Sequence, residues 1–255
     1  MLLRRITDHV KEQNWTAVGL DLLIVVFGVF IGIQVANWNG ARIDAQREQQ
    51  VLRELLDDLR QDTLQLSAAS QAARLSIDAA NILLEKADLE PITQVSFPIA
   101  NPQTNTDLVV APPDALDDDQ ATAFWTYITT RYYPAQNDSA LNALTATGSF
   151  AIVKDREIVR DLQRYKTYWI NVMASHNNTY RPFRNHLVFV GQKHGLSPFT
   201  ALDLDALVQI VSIDPEMQGA IRTIAEYAVF HRETLEGLHD EAQTLIDRIE
   251  AASAS

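Results

Sequence analysis

The longest apolar stretch of the chain lies between Trp15 and Trp38, where TAVGLDLLIVVFGVFIGIQVAN carries one acid and no base. About twenty apolar residues at a rise of roughly 1.5 Å each match a hydrocarbon layer of about 30 Å, and the two indoles stand where an interfacial belt would place them. Residues 15–38 are therefore read as a transmembrane helix with Trp15 and Trp38 as interfacial anchors, and residues 1–14 as a short tail. A cleaved secretory leader also begins with basic residues, here Arg4, Arg5 and Lys11. The run is longer than a leader's roughly 7–15 residues, and its exit, Gln34-Val35-Ala36-Asn37-Trp38-Asn39, lacks a small-x-small cleavage pattern.

Helical period continues beyond the span. Leu52, Leu55, Leu59, Asp62, Leu66, Ala69, Ala73, Ser76, Ala80 and Leu83 follow alternating spacings of three and four, which lays them on one seam. No Gly or Pro interrupts the chain between Ala41 and Glu90, so one long helix is predicted, ending before Pro91. Many alanines and the acid Asp62 argue for an antiparallel bundle within the chain rather than a coiled coil. Residues 88–116 scatter Pro91, Pro98, Pro102, Pro112 and Pro113 among polar residues and read as a long irregular loop, with short extended pieces at 95–97 and 108–110.

The run Asp117-Asp118-Asp119 then opens a predicted helix through Tyr132, its carboxylates suiting the positive helix end better than a metal. Asn137-Asp138-Ser139 caps a shorter helix stopping at Gly148, and Asp155 caps a long one that Pro182 should kink or break. A short helix follows Asp203, and Asp214-Pro215 starts a last helix running to about Ala252. The fold class predicted is all-α: one N-terminal transmembrane helix continuing into an elongated antiparallel helical bundle, residues 39–255, with a long Pro-rich loop.

Charge narrows the partners. The net charge is −12, and residues 40–255 hold 18 Lys and Arg against 30 Asp and Glu. Such a surface repels phosphate backbones, and nucleic acid is not expected as a partner. The absence of cysteine excludes disulfides and thiolate metal sites. Basic residues near the span balance, Arg4, Arg5 and Lys11 before it and Arg42, Arg47 and Arg53 after it. A short amino-terminal tail and the tolerance of long domains for translocation favour a cytoplasmic amino terminus, which in a bacterial inner membrane places the main domain in the periplasm.

Inside the span Asp21 shares a helix face with Gly28, Gly32 and Ala36, since at about 100° per residue each lies within about 60° of it. The Gly28-x-x-x-Gly32-x-x-x-Ala36 pattern lets two helices approach closely in lipid, so the expected partners are the bilayer and another transmembrane helix, from a second copy or another subunit. Asp21 reaching the headgroup layer is the plainer alternative. Gln34 and Asn37, on the opposite side, read as interfacial.

No motif names a reaction. Glu236-x-x-His239 puts two potential ligands on one helix face, as in bundle di-iron sites, but the second such pair is absent from the sequence and the pair reads as a solvated helix face. Neither a G-x-S-x-G elbow nor a glycine-rich phosphate loop occurs, so no catalytic residue, metal ligand or cofactor is assigned. The densest polar and aromatic cluster runs from Ser175 to His186 around Pro182, and any ligand pocket would lie there, with Arg181, Arg184 and His186 as its candidates. The competing reading is that these groups satisfy the backbone at a proline kink. The string Phe124, Trp125, Tyr127, Ile128, Tyr132 and Tyr133 reads as core.

Two blocks carry a family resemblance. Gly19-x-Asp21 followed by Val25-Val26-Phe27-Gly28-Val29-Phe30-Ile31-Gly32-Ile33-Gln34-Val35-Ala36-Asn37-Trp38-Asn39 resembles the start of the DUF6090-type family of bacterial single-span membrane proteins. Ala140-Leu141-Asn142-Ala143-Leu144, with Thr147-Gly148, Ile152, Asp155 and Leu162 to Tyr165, resembles that family's second pattern. The resemblance implies a membrane-anchored helical protein and supplies no activity. The function expected from the sequence is a non-enzymatic scaffold or accessory subunit. The alternatives are a ligand-sensing periplasmic domain that signals through a partner, and a metal-dependent enzyme of unfamiliar type.

Overall fold

The computed structural model describes residues 15–96, 107–114 and 122–253. The tail assigned to residues 1–14, the middle of the Pro-rich loop and the run Asp117-Asp118-Asp119 lie outside those residues. The chain is all-α apart from one small hairpin. It divides into two compact units, with the boundary between Val51 and Leu52.

Helix α1 spans Trp15–Lys86. In the first unit its apolar side chains are uncovered, from Leu22 and Leu23 through Phe27, Phe30 and Ile33 to Trp38, all more than half exposed. This segment is long and apolar enough to cross a membrane, and none of its apolar window is buried within the protein. A soluble core helix would instead bury that face. Gly28 and Gly32 have open space around the position a Cβ would take.

The second unit is built on the rest of α1 and two further helical rods. After α1 comes a hairpin of β1 (Gln94–Ser96) and β2 (Asp107–Val109), antiparallel with Val95 opposite Leu108. Short helices α2 (Phe124–Thr129) and α3 (Ser139–Thr147) precede a 3₁₀ turn at Ser149–Ile152. Next come α4 (Arg156–Ser175), a π-turn at His176–Tyr180 and α5 (Arg181–Lys193), then α6 (Leu204–Ile213) and α7 (Pro215–Ser253). Arg60 reaches Glu250 at 2.7 Å, Ser70 reaches Glu236 at 3.1 Å, and Arg222 caps the carbonyl of Glu90 at 2.5 Å, so α7 runs antiparallel to α1. Arg164 to Glu241 at 2.9 Å and Lys193 to Glu216 at 2.5 Å set α4 and α5 antiparallel to α7 as well.

The predicted seam faces the core: Leu55, Leu59, Leu66, Ala69, Ala73, Ala80 and Leu83 are all buried. Helix α1 ends at Lys86 because Asp88 takes a left-handed conformation, φ 57°. Helix α2 is shorter than the helix expected through Tyr132. The hydroxyls of Thr129 and Thr130 bond back to the carbonyls of Trp125 and Thr126 at 2.7 and 2.6 Å, and Thr130 is already extended. The cap of α3 comes from another helix: Asp58 accepts from Ser139 Oγ and from the Ala140 amide, while Asp138 makes no capping bond. Asp155 and Asp214 do cap their own helices.

Pro182 does not break its helix. The amide of Arg181 bonds to the carbonyl of His176, five residues back, and this wider turn makes room for the ring. Pro182 then sits in the first turn of α5, where its missing N–H leaves no bond unmade.

Asp62 is the seam's acid, 1 % exposed. It accepts from the Asn137 amide at 2.6 Å and from the Tyr165 hydroxyl at 2.9 Å. Burial pushes its pKa up from 3.8 to about 6, against the lowering effect of those bonds. A carboxyl that is harder to ionise when folded contributes stability below its unfolded pKa and loses it as pH rises through the folded one. Asp62→Asn keeps the shape and cannot ionise. Its stability relative to wild type should therefore gain about 2 kcal/mol between pH 4 and pH 7.5 in urea titrations; a pH-independent difference would contradict the burial effect.

Candidate functional site

Three parts of the second unit converge behind the π-turn. The irregular stretch after α2 carries Arg131 and Tyr133, the π-turn carries His176 and Tyr180, and α7 carries His231. Their rings form a cluster: Tyr133 meets His176 edge-on with centroids 4.2 Å apart, and His176 lies 5.0 Å from both Tyr180 and His231. The guanidinium of Arg131 stacks over the Tyr180 ring, its carbon 3.7 Å from the centroid.

What sets this cluster apart is what its polar atoms lack. All three guanidinium nitrogens of Arg131 are shut off from solvent and have no hydrogen-bond acceptor. Both ring nitrogens of His176, Nε2 of His231 and the Tyr180 hydroxyl are likewise buried without partners. Most buried polar groups in folded proteins are satisfied, and an unpaired buried charge costs several kcal/mol. Stacking on Tyr180 returns only about 0.5–2 kcal/mol. The structure keeps a cation here at a net cost to stability.

Electrostatics follow from burial. Arg131 is pushed below its ordinary pKa by burial and remains the cluster's positive charge. His176 falls to about 3, through burial first and then Arg131 and Arg181. His231 falls to about 2, through burial and then Arg131 and His176. Both imidazoles are therefore neutral at neutral pH, each offering one donor and one acceptor. Burial raises Tyr180 and Tyr133, so both phenols stay protonated.

Arg131 lines two cavities. The smaller, about 180 Å³, is walled mainly by Val172, His176, Tyr180, Tyr227, Phe230 and His231. The larger, about 540 Å³, brings Arg131 together with Tyr133, Arg181, Arg184 and Phe199. Neither has a carboxylate in its lining among the described residues. In a protein of net charge −12 this is a local concentration of cation without acid. A separate cleft of about 300 Å³ differs in kind, because its cations are matched: Arg74 to Asp78 at 2.9 Å and Arg232 to Glu236 at 2.8 Å.

Of the residues singled out in the sequence, Arg181 and Arg184 line the larger cavity, and Arg184 also donates to the Thr129 carbonyl at 2.7 Å. His186 does not join them. It lies on another face of α5, 3.9 Å from Glu216, because five residues beyond Arg181 a helix has turned about 140° away. Gly28, Gly32, Ala36 and Trp38 are exposed on α1, whereas Asp21 and Trp15 belong to α1 with side chains outside the described set. Glu236 is taken up by Arg232 and Ser70, and among the described residues no three metal-ligating side chains converge.

The sequence reading passed over Arg131. Its one local signal was a lone cation inside the aromatic string, between Thr130 and Tyr132. The partners that bury it, Tyr180 and His231, stand 49 and 100 residues further on. No protein-family model, curated protein or solved structure matches the chain.

Proposed function

We propose that this chain is a membrane-anchored binding protein whose helical domain holds an anion at Arg131. The observation that carries the reading is the buried guanidinium that finds no acceptor among the described residues, flanked by cavities with no acid of those residues in their lining. A carboxylate or phosphate would supply the missing acceptors through charge-assisted bonds. No covalent step is implied, so the reading is of a sensor or accessory subunit and not of an enzyme. We place the amino terminus on the cytoplasmic side and the binding domain in the periplasm of a bacterial inner membrane, because long domains cross a membrane largely regardless of their charge. Kinship with the DUF6090-type family is proposed on the two sequence blocks alone.

The test uses the full chain in mild detergent. Sodium acetate, phosphate and benzoate, compared with chloride at equal ionic strength, should include at least one anion that raises the melting temperature of wild type and leaves Arg131→Met unshifted. Arg131→Met should itself be more stable by ~1–3 kcal/mol, since an apolar side chain replaces an unpaired buried cation. If no anion shifts the wild type, or if the variant is destabilised and still responds, the proposal fails.

The exposed face of Gly28, Gly32 and Ala36 supports a second element, association with another transmembrane helix. Gly28→Leu/Gly32→Leu should reduce an oligomer captured by crosslinking in membranes, and an unchanged crosslinking pattern would count against it.

A further inference from the structure

The smaller cavity specifies more than charge. Resting on the anion-site reading, we infer that its ligand is a monocarboxylate carrying a flat aromatic ring. Four features of the cavity support this.

One is count. Among the described residues Arg131 is the only charged one in the smaller cavity's lining, because His176 and His231 are neutral there. One cation matches one negative charge, whereas a phosphate dianion would bring a second charge with no cation to meet it. Another is geometry. The Tyr180 ring covers one face of the guanidinium at 3.7 Å, which leaves the in-plane N–H edge, closed to solvent until a neighbouring side chain moves, as the direction from which an acceptor comes. That edge is the one a carboxylate meets with two parallel hydrogen bonds.

The remaining two are size and lining. Cavities of about 150 Å³ accommodate a benzene ring, and this one measures about 180 Å³. Its walls join Val172, Tyr227, Phe230 and the rings of His176, Tyr180 and His231, which offer stacking and edge contacts to a flat ring, to a polar side of Asn171, Ser175, Thr179 and Thr234. The unpartnered nitrogens of His176 and His231 remain to accept from, or donate to, a polar substituent on that ring. The guanidinium nitrogens are shut off from solvent, so the carboxylate gains them as a neighbouring ring swings aside.

Isothermal titration of the detergent-solubilised full chain with benzoate, acetate, inorganic phosphate and benzyl alcohol tests this directly. Benzoate should bind at least tenfold more tightly than each of the other three, with loss of binding in Arg131→Met. Val172→Phe, which fills the cavity, should lose benzoate by at least tenfold. Equal or tighter binding of acetate or phosphate, abolished by Arg131→Met, overturns the aromatic assignment and leaves the anion site standing. Equal binding of benzyl alcohol shows an apolar cavity with no use for Arg131 and overturns both, as does the absence of any binding. The wild-type comparison alone decides the matter if Val172→Phe fails to fold.

Discussion

Lowering the pH from 7 to 4 is expected to destabilise the helical domain, and a His176→Phe/His231→Phe double variant is expected to resist that acid. Each imidazole is held neutral in the fold, His176 with a pKa of about 3 and His231 of about 2, against an ordinary value of 6.5. A base whose folded pKa is depressed gives stability that is present above its unfolded pKa and is lost as pH falls. The window therefore opens near pH 6.5 and extends below pH 4. At pH 4 the loss is about 3 kcal/mol for each histidine, together about 6 kcal/mol, comparable with the ~5–15 kcal/mol that holds a domain folded.

Burial and the neighbouring cations Arg131 and Arg181 oppose protonation of His176, and burial, Arg131 and His176 oppose that of His231. His176 faces Arg131, Arg181, Tyr133, Tyr180 and His231, and His231 faces Arg131 and His176. Asp62 works in the other direction, returning about 2 kcal/mol over the same range, which leaves a net loss of about 4 kcal/mol. Phenylalanine keeps the ring contacts and removes buried nitrogens that have no partner, so the double variant should match the wild type at pH 7. Urea midpoints followed by circular dichroism between pH 7 and pH 4 supply the measurement. Parallel loss of stability in the two proteins would show that these histidines do not control the acid limit.

Periodicity made the rods legible. The three-four spacing from Leu52 to Leu83 needs only the helical repeat to place its residues on one buried face, and those residues are buried. The capping aspartates Asp155 and Asp214 were legible because a cap acts within three residues of itself. What escaped were effects whose second partner lies far along the chain. Asp138 looked like the cap of α3, yet Asp58, 80 residues earlier, does the capping.

Pro182 interrupts the regular helix by a route that the expected kink or break did not name. The rule that proline disrupts a helix presumes bonds to the fourth residue back, and the π-turn changes that register locally. The same turn brings His176 and Tyr180 to face Arg131 and His231. A widened turn is a common feature of functional helices. Here the departure from the sequence expectation and the buried cluster around Arg131 coincide because one local register shift produces both.

Gly191 gives the sharpest packing test of the domain. A Cβ at this position in α5 would stand 2.3 Å from Cζ2 and 2.7 Å from Cη2 of Trp125. Two effects of Gly191→Ala then compete. Alanine improves helix propensity by about 1 kcal/mol, while overpacking a core costs about 1–3 kcal/mol or more. The clash wins, because the indole has nowhere to go: Trp125 is 1 % exposed and its Nε1 donates to the Ser197 carbonyl at 2.8 Å. Swinging the ring would break that bond and disturb α2, whose Phe124 and Ile128 are also buried. Gly191→Ala should therefore lower stability by about 2 kcal/mol, and Gly191→Val by more. Trp125→Phe shortens the ring at the point of contact. In its background Gly191→Ala should recover the propensity gain and become neutral or stabilising, a coupling of ~2 kcal/mol in a double-mutant cycle. Additive effects in that cycle would mean that the glycine is not kept small by the tryptophan.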